Sequence, residues 1–198
     1  MIQFENLIQE TPYLIFREHY EEAIKANQIN IEAISISSYS KEKKEVNSRY
    51  VNLKLVNERK FIFFSNYNSP KSKEFENHNQ ITALIYWNNT NVQIRMKAFI
   101  EKTSKDFNQL YFSKRDKKKN ALAICSKQSS PIDSYEALKN KFDFSLNNND
   151  LNICPDYWGG FSFRPFYFEF WEGHESRLNK REVYELKDER WIRSFLQA

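Results

Sequence analysis

Apolar and polar residues alternate most regularly between residues 48 and 66, where the pattern predicts two strands joined by a turn. In the first strand, Ser48–Lys54, odd-numbered side chains share one face and even-numbered side chains share the other. The second strand, Phe61–Asn66, begins with four apolar residues in succession. Ser69 and Pro70 then predict the N-cap and the first position of a short helix, because these residue types favour those places.

Basic side chains, hydroxyls and a helix N-terminus are expected to meet near the ends of these two strands. Lys54 is predicted to end the first strand, and Ser65 lies near the end of the second. Lys71 falls in the first turn of the predicted helix. Such a group of donors binds a phosphate without a glycine-rich loop. The sequence therefore predicts an anion site here.

Strands predominate in the remaining pattern. Apolar alternation predicts a hairpin with its tip at residues 88–91, and helical spacing predicts a helical insertion before the last strands. The charged residues 116–119 are expected to interrupt that insertion. The predicted helices are 12–27, 104–115, 120–127 and 134–146, and the further strands are 31–37, 80–87, 92–102, 161–171 and 177–191.

No repeat or linker divides the chain, so we expect one domain over residues 1–198. It has a helical N-terminus (12–27), a helical insertion (about 104–146) and C-terminal strands within 159–196. The chain contains 17 Phe and 11 Tyr but only 3 Gly. Aromatic residues favour strands, and a doubly wound nucleotide fold normally opens with a glycine fingerprint that this sequence lacks. The predicted fold class is therefore mainly β with flanking helices (α+β).

Charge and cysteine content narrow the possible functions. The formal net charge of +4 is mildly basic and suits a phosphorylated small molecule as well as nucleic acid. Cys125 and Cys154 follow neither a disulfide framework nor a metal-ligand spacing, and three scattered histidines make no metal site. No segment resembles a signal peptide or approaches the ~20 apolar residues of a membrane helix. We expect a cytoplasmic protein without metal, membrane or nucleic-acid binding.

Several short motifs follow one another in a specific order and spacing, although each is weak alone. They are Arg49–Lys54, Phe64–Asn66 with Lys71, Trp87 with Gln93, Lys127–Ser130, Trp158–Phe161, and Glu169–Gly173 with Arg177–Arg181. From about Arg49 to the C-terminus, this order resembles the pyridoxine (pyridoxamine) 5′-phosphate oxidase family. The first predicted helix agrees with the family less well.

The resemblance implies an antiparallel FMN-binding split β-barrel that forms a homodimer, with FMN at the subunit interface and part of each site supplied by the second subunit. The implied cofactor contacts are Arg49, Tyr50, Val51, Asn52, Lys54, Phe64, Ser65, Lys71, Gln93, Gln128, Ser129, Trp171 and Arg181. The implied substrate contacts are Lys54, Tyr111, Arg115, Lys119, Arg177 and Asn179, and the last two are the implied catalytic residues.

The activity that the resemblance implies is an FMN-dependent oxidase. It would convert pyridoxamine 5′-phosphate or pyridoxine 5′-phosphate to pyridoxal 5′-phosphate, with O₂ as electron acceptor. The residue types suit this chemistry, because a phosphorylated cofactor and a phosphorylated substrate need several Arg and Lys donors in one cleft. FMN carries the redox chemistry, so the protein need only bind, orient and tune it.

Three positions depart from the family pattern and leave alternatives open. Pro70 replaces an Arg, Lys119 replaces a Ser that meets the substrate phosphate, and Asn179 replaces a His that can titrate. The N-terminal extension that often covers the family's active site is also expected to be short. One alternative is a flavin oxidoreductase acting on another planar substrate, as phenazine-pathway relatives do. The other is a non-catalytic module for FMN, pyridoxal phosphate or, through the basic run 114–119, nucleic acid.

Overall fold

Nine strands and five helices make up the computed structural model, which describes residues 1–198. The strands are β1 (Gln3–Glu5), β2 (Ala33–Ser40), β3 (Glu45–Asn57), β4 (Lys60–Asn66), β5 (Gln80–Trp87), β6 (Val92–Lys102), β7 (Trp158–Glu172), β8 (Lys180–Lys187) and β9 (Arg190–Phe195). The helices are α1 (Thr11–Lys25), α2 (Pro70–Asn77), α3 (Lys105–Lys114), α4 (Lys117–Cys125) and α5 (Tyr135–Asn148). No helix combines the length and apolar composition needed to span a bilayer.

Strand pairing closes six of the strands into a barrel. The sheet order is β1-β3-β2-β5-β6-β7-β8-β9, and β4 pairs with both β3 and β7. The circuit β3-β2-β5-β6-β7-β4 therefore returns to its starting strand, which removes the exposed edges of an open sheet. All pairings are antiparallel except that of β1 with β3. The expected antiparallel barrel is confirmed.

Aromatic side chains fill the barrel and join it to α1. Phe61 of β4 stacks on Phe163 of β7 with ring centroids 5.3 Å apart. Phe16 of α1 meets the same Phe61 ring edge-on at 5.0 Å, and Tyr13 lies fully buried beside it. Such tilted and offset arrangements are the favourable ones for aromatic pairs. The abundance of Phe and Tyr in the sequence thus serves the core.

Most predicted elements occur in the structure with differences at their ends, and β1 was not predicted. The predicted single strand 177–191 is wrong, because the chain turns at Asp188 and Glu189, both of positive φ, and so forms β8 and β9. The hairpin of β5 and β6 has the predicted bounds, whereas β3 continues past Lys54 to Asn57 through a bulge between Leu53 and Leu55. Lys54 therefore does not end its strand. The predicted break at 116–119 is shorter and falls at 115–116, because the Asp116 carboxylate accepts a hydrogen bond from the Lys119 amide and α4 begins at Lys117.

Candidate active site

A cavity of about 230 Å³ lies where β3 and β4 meet α2, α3 and the segment that follows α4. Strand β3 supplies its floor, β4 and α2 supply polar groups, and α3 supplies one wall. Ten residues line it, all of them among the predicted site residues: Tyr50, Val51, Asn52, Lys54, Phe64, Ser65, Lys71, Tyr111, Arg115 and Gln128. The fold thus brings together residues from position 50 to position 128.

Lys71 is the buried cation of this cavity. Only 7% of the residue is exposed, and its Nζ donates to Ser65 Oγ at 3.1 Å and to Ser69 Oγ at 3.2 Å. No carboxylate lies within ion-pair distance of it. Burial, and then the nearby charge of Arg49, lower the pKa of Lys71 to about 8. A buried cation whose only hydrogen-bond partners are hydroxyls lacks a negative charge to balance it and is therefore suited to bind an anion.

The groups around Lys71 fit a phosphate. Ser72, the next residue in the first turn of α2, has a fully buried hydroxyl without any hydrogen-bond partner, which is exceptional in a native protein. The predicted N-cap hydroxyl of Ser69 instead donates to the Asn66 carbonyl at 2.7 Å, so it leaves the helix terminus uncapped. A helix N-terminus, a cation and an unpaired hydroxyl all favour a bound anion.

Gln128 reaches this cluster from the segment after α4. Its Oε1 accepts from Ser65 Oγ at 3.0 Å and from the Asn66 backbone amide at 3.2 Å. This contact spans more than sixty residues of sequence and fixes the helical insertion against β4. Ser129, its predicted companion, lies in an exposed turn with a φ of 67° and does not line the cavity.

Arg49 lies beside the cavity and not in its lining. Its Nη2 forms a 2.8 Å ion pair with Glu74 Oε2, and its Nη1 donates to Ser38 Oγ at 2.5 Å. Glu74 is 7% exposed and belongs to α2, so the ion pair ties β3 to the helix that carries Lys71. In this structure Arg49 positions α2 and adds positive potential near Lys71.

Two lining residues of the cavity, Tyr111 and Phe64, belong to a stack of three aromatic rings. Tyr111 of α3 stacks on Phe64 of β4 with centroids 3.7 Å apart, and Phe64 stacks on Trp158 at 5.1 Å. The Arg115 guanidinium lies 5.0 Å from the Trp158 ring and donates to the Lys119 carbonyl at 2.9 Å. Lys119 therefore meets Arg115 through its backbone, and its own side chain is exposed.

Lys54 has a partner that sequence reasoning missed. Its Nζ donates to Glu32 Oε1 at 2.5 Å. Glu32 immediately precedes β2, and its carbonyl accepts from the Leu53 amide at 2.8 Å, which places its side chain next to Lys54. The contact follows from the pairing of β2 with β3. Ala33 lies opposite Asn52 in that pairing, so Glu32 lies near Leu53 and Lys54.

The other predicted contacts form a second group away from the cavity. Gln93, Trp171 and Arg181 are consecutive cross-strand neighbours on β6, β7 and β8. The Arg181 Nε donates to Glu169 Oε1 at 2.9 Å, and Glu169, which is 3% exposed, also pairs with Arg95. This second group is therefore a row across three strands, fixed by a buried carboxylate.

The two predicted catalytic residues lie in the turn between β7 and β8. Arg177 has a φ of 62°, and its side chain is exposed without any partner within the chain. Asn179 Oδ1 accepts from the His174 backbone amide at 3.0 Å. Within one chain Asn179 thus shapes the turn that presents Arg177.

Comparison with known proteins identifies relatives of this arrangement. Residues 158–198 match the pyridoxine 5′-phosphate oxidase C-terminal dimerisation region. A pyridoxine/pyridoxamine 5′-phosphate oxidase of Hydrogenovibrio crunogenus is 33% identical over 179 residues, covering 90% of this chain and 82% of the relative. Another, from Vesicomyosocius okutanii, is 33% identical over 187 residues, covering 93% of this chain and 87% of the relative.

A solved structure shows the same fold. PhzG from Burkholderia lata, crystallised with tetrahydrophenazine-1-carboxylic acid, superposes with a TM-score of 0.89 at 22% identity and covers 94% of this chain and 92% of its own. Family membership supports FMN as the cofactor, in agreement with the resemblance. On sequence identity and coverage, the chain belongs to the pyridoxine/pyridoxamine 5′-phosphate oxidase family.

Proposed function

We propose that the protein is an FMN-dependent oxidase that converts pyridoxamine 5′-phosphate or pyridoxine 5′-phosphate to pyridoxal 5′-phosphate in the cytoplasm. The observation that carries the proposal is that ten predicted residues line the same cavity. Among them is the buried Lys71, which has no carboxylate partner. The relatives named as oxidases of these substrates support the same activity. The alcohol carbon is oxidised directly to the aldehyde. The amine carbon is oxidised to an imine, whose C=N bond water then hydrolyses to give the aldehyde and ammonia. In both cases O₂ is reduced to hydrogen peroxide.

The proposed phosphate contacts of the cofactor come from β4 and α2. Lys71 and Ser65 supply a cation and a hydroxyl, and Ser72, the following residue of α2, has a buried hydroxyl without a partner. Gln128 orients the Ser65 hydroxyl by accepting a hydrogen bond from it. Pro70 occupies the position of an Arg in the family, so Lys71 is the principal positive charge on this helix turn. Arg49 supports it by holding α2 in place through the ion pair with Glu74.

FMN, when bound, supplies the acceptor for a hydride equivalent and the route of electrons to O₂. The residues of this chain have the remaining tasks of binding, orienting and excluding water. Tyr111 and Phe64, which line the cavity and are backed by Trp158, are aromatic side chains against which a planar ring can pack. Arg115 and Lys54 are the cations at the substrate end, and Tyr111 adds a hydroxyl donor there.

A second copy of the chain is proposed to complete each site. A cavity of about 230 Å³ is smaller than the ~300–1,000 Å³ of typical complete ligand sites. The row of Gln93, Trp171 and Arg181 and the turn with Arg177 bear predicted contacts but do not line the cavity of their own chain. In a two-fold dimer, each copy would offer this second group to the cavity of the other.

Asn179 favours a second candidate function, oxidation of another planar compound by the same flavin. Its side-chain oxygen is already engaged by the His174 amide, and an amide side chain cannot exchange a proton with a substrate. A substrate that needs no titrating group at this position suits the turn equally well. Turnover of pyridoxamine 5′-phosphate distinguishes the two functions.

The first prediction concerns flavin reduction. Purified protein loaded with FMN should lose its visible flavin absorbance when mixed anaerobically with pyridoxamine 5′-phosphate, because the substrate carbon transfers its electrons to the bound ring. Admission of air should restore the absorbance and produce hydrogen peroxide. A flavin spectrum that stays unchanged at saturating pyridoxamine and pyridoxine 5′-phosphates would rule out the oxidase and leave the second candidate.

A second prediction tests the role of Lys71. The Lys71→Met variant should bind FMN about 10- to 100-fold more weakly, since a charge-assisted hydrogen bond to the phosphate is lost. Fluorescence quenching of FMN on titration with protein measures the dissociation constant.

Lys73 provides the matched control for Lys71. It lies on the same helix but is exposed, so Lys73→Met should bind FMN as the unaltered protein does. Riboflavin, which lacks the phosphate, should bind Lys71→Met and the unaltered protein with similar affinity. Equal weakening by both lysine variants would contradict a specific role for Lys71.

A third prediction tests the shared site. Lys71→Met and Trp171→Ala carry defects in different halves, so each alone should bind FMN poorly. When the two are unfolded together and refolded, about a quarter of the sites should regain normal affinity, because half of the dimers are mixed and each mixed dimer has one intact site. Titration of the mixture with FMN counts those sites. Recovery of no sites, in protein that sedimentation shows to be dimeric, would contradict a site built from two copies.

A further inference from the structure

Glu32 places a negative charge beside the cavity, where it pairs with the lining residue Lys54. One of its carboxylate oxygens accepts from Lys54 Nζ at 2.5 Å, and the other lies 2.6 Å from the Met1 amino group. The side chain is 24% exposed, so solvent screens it only in part. Glu32 is therefore shared between two cations and offsets part of the charge of Lys54.

The position of Glu32 connects two openings. Tyr50 and Asn52 line both the 230 Å³ cavity and a larger opening of about 700 Å³, and Glu32 lines the larger one next to them. Lys54 reaches from the smaller cavity to Glu32. A ligand that touches Lys54 from the cavity thus approaches the Glu32 carboxylate.

Electrostatics indicates that Glu32 remains ionised and acts on its surroundings. Burial alone would raise the pKa of its carboxyl group, but hydrogen bonds from Lys54 and the Met1 amino group outweigh that effect and lower the pKa. Burial raises the pKa of the Tyr111 hydroxyl, the Arg115 charge opposes that rise, and the Glu32 charge adds to it. At neutral pH Glu32 is therefore a carboxylate paired with Lys54 beside the cavity.

We propose that Glu32 is a specificity-determining residue that sets the charge preference of the substrate cavity. It competes with an incoming anion for Lys54 and repels a second negative charge. A phosphate dianion bears the full repulsion, whereas a planar ring with one negative charge, such as a carboxylate, bears less of it. Arg115, which has no carboxylate partner in the chain, remains the cation that can balance such a single charge.

The inference rests on the proposed function for the location of the substrate, but its consequence is measured by binding alone. Suitable probes are 4-deoxypyridoxine 5′-phosphate and 4-deoxypyridoxine, because they share one ring, differ in the phosphate and have no oxidisable group at C4′. Dissociation constants for both are measured by calorimetry with the FMN-loaded protein. The test therefore stands whether or not pyridoxamine 5′-phosphate reduces the flavin.

Glu32→Gln should bind the phosphorylated probe about tenfold more tightly than the unaltered protein, a gain of ~1.4 kcal/mol. Affinity for the unphosphorylated probe should stay unchanged, because that probe has no phosphate for Glu32 to repel. Glu136→Gln serves as the control, since Glu136 forms a comparable but exposed ion pair with Lys139 on α5. The control should alter neither affinity.

A double variant separates competition from simple distortion of Lys54. If Glu32 acts through Lys54 and its own charge, Glu32→Gln should still strengthen binding of the phosphorylated probe in a Lys54→Met background, by a smaller factor. An equal change for both probes, or weaker phosphate binding by Glu32→Gln, would overturn the proposal and leave Glu32 as a structural support of Lys54. Absence of flavin reduction with unchanged probe results would count against the oxidase alone.

Discussion

The site depends on the burial of Lys71 without a carboxylate partner. Removing an ammonium group from water is costly, and the low pKa of Lys71 reflects that cost. The fold offsets part of this cost in two ways. The Arg49–Glu74 ion pair fixes α2 to β3, and the hydroxyls of Ser65 and Ser69 accept hydrogen bonds from the Lys71 ammonium. A site that holds positive charge in this way is prepared for an anion before the anion arrives.

Carboxylates divide the cations of the molecule into two kinds. Arg49, Lys54 and Arg181 are each paired with a glutamate, whereas Lys71 and Arg115 are not. The paired cations fix β3 to α2, β3 to the start of β2, and β7 to β8. The unpaired cations both line one cavity, together with Phe64 and Tyr111. Cations that are free of carboxylates suit a site that takes up anionic groups.

Local pattern predicted the elements whose ends are set by local chemistry. The hairpin of β5 and β6 has the predicted bounds because its alternation is regular and its tip is a run of polar residues. The end of β3 was not predictable in the same way, because β1 and β4 extend it by pairing beyond the bulge at Leu53. Tertiary pairing therefore overrode the local signal.

Motif order, more than periodicity, led to the residues that line the candidate cavity. Gln128 and Ser65 are more than sixty residues apart, and no local pattern relates them, yet the family motifs named both. What the motifs did not show is the partner of each cation. Glu32 and Glu74 lie outside the quoted motifs and act through strand and helix packing, so their roles emerged only from the fold.

We propose that Lys71, which has no carboxylate partner, binds a phosphate as a cation. Its titration can be followed directly by carbon–proton NMR of lysines labelled at Cε, with Lys71→Met assigning the signal. The pKa should be about 8 in the free protein and should rise to at least the ordinary lysine value of about 10.4 when FMN is bound, because the phosphate stabilises the charged form. A pKa that stays the same with FMN bound, or that rises equally with riboflavin, would contradict the claim.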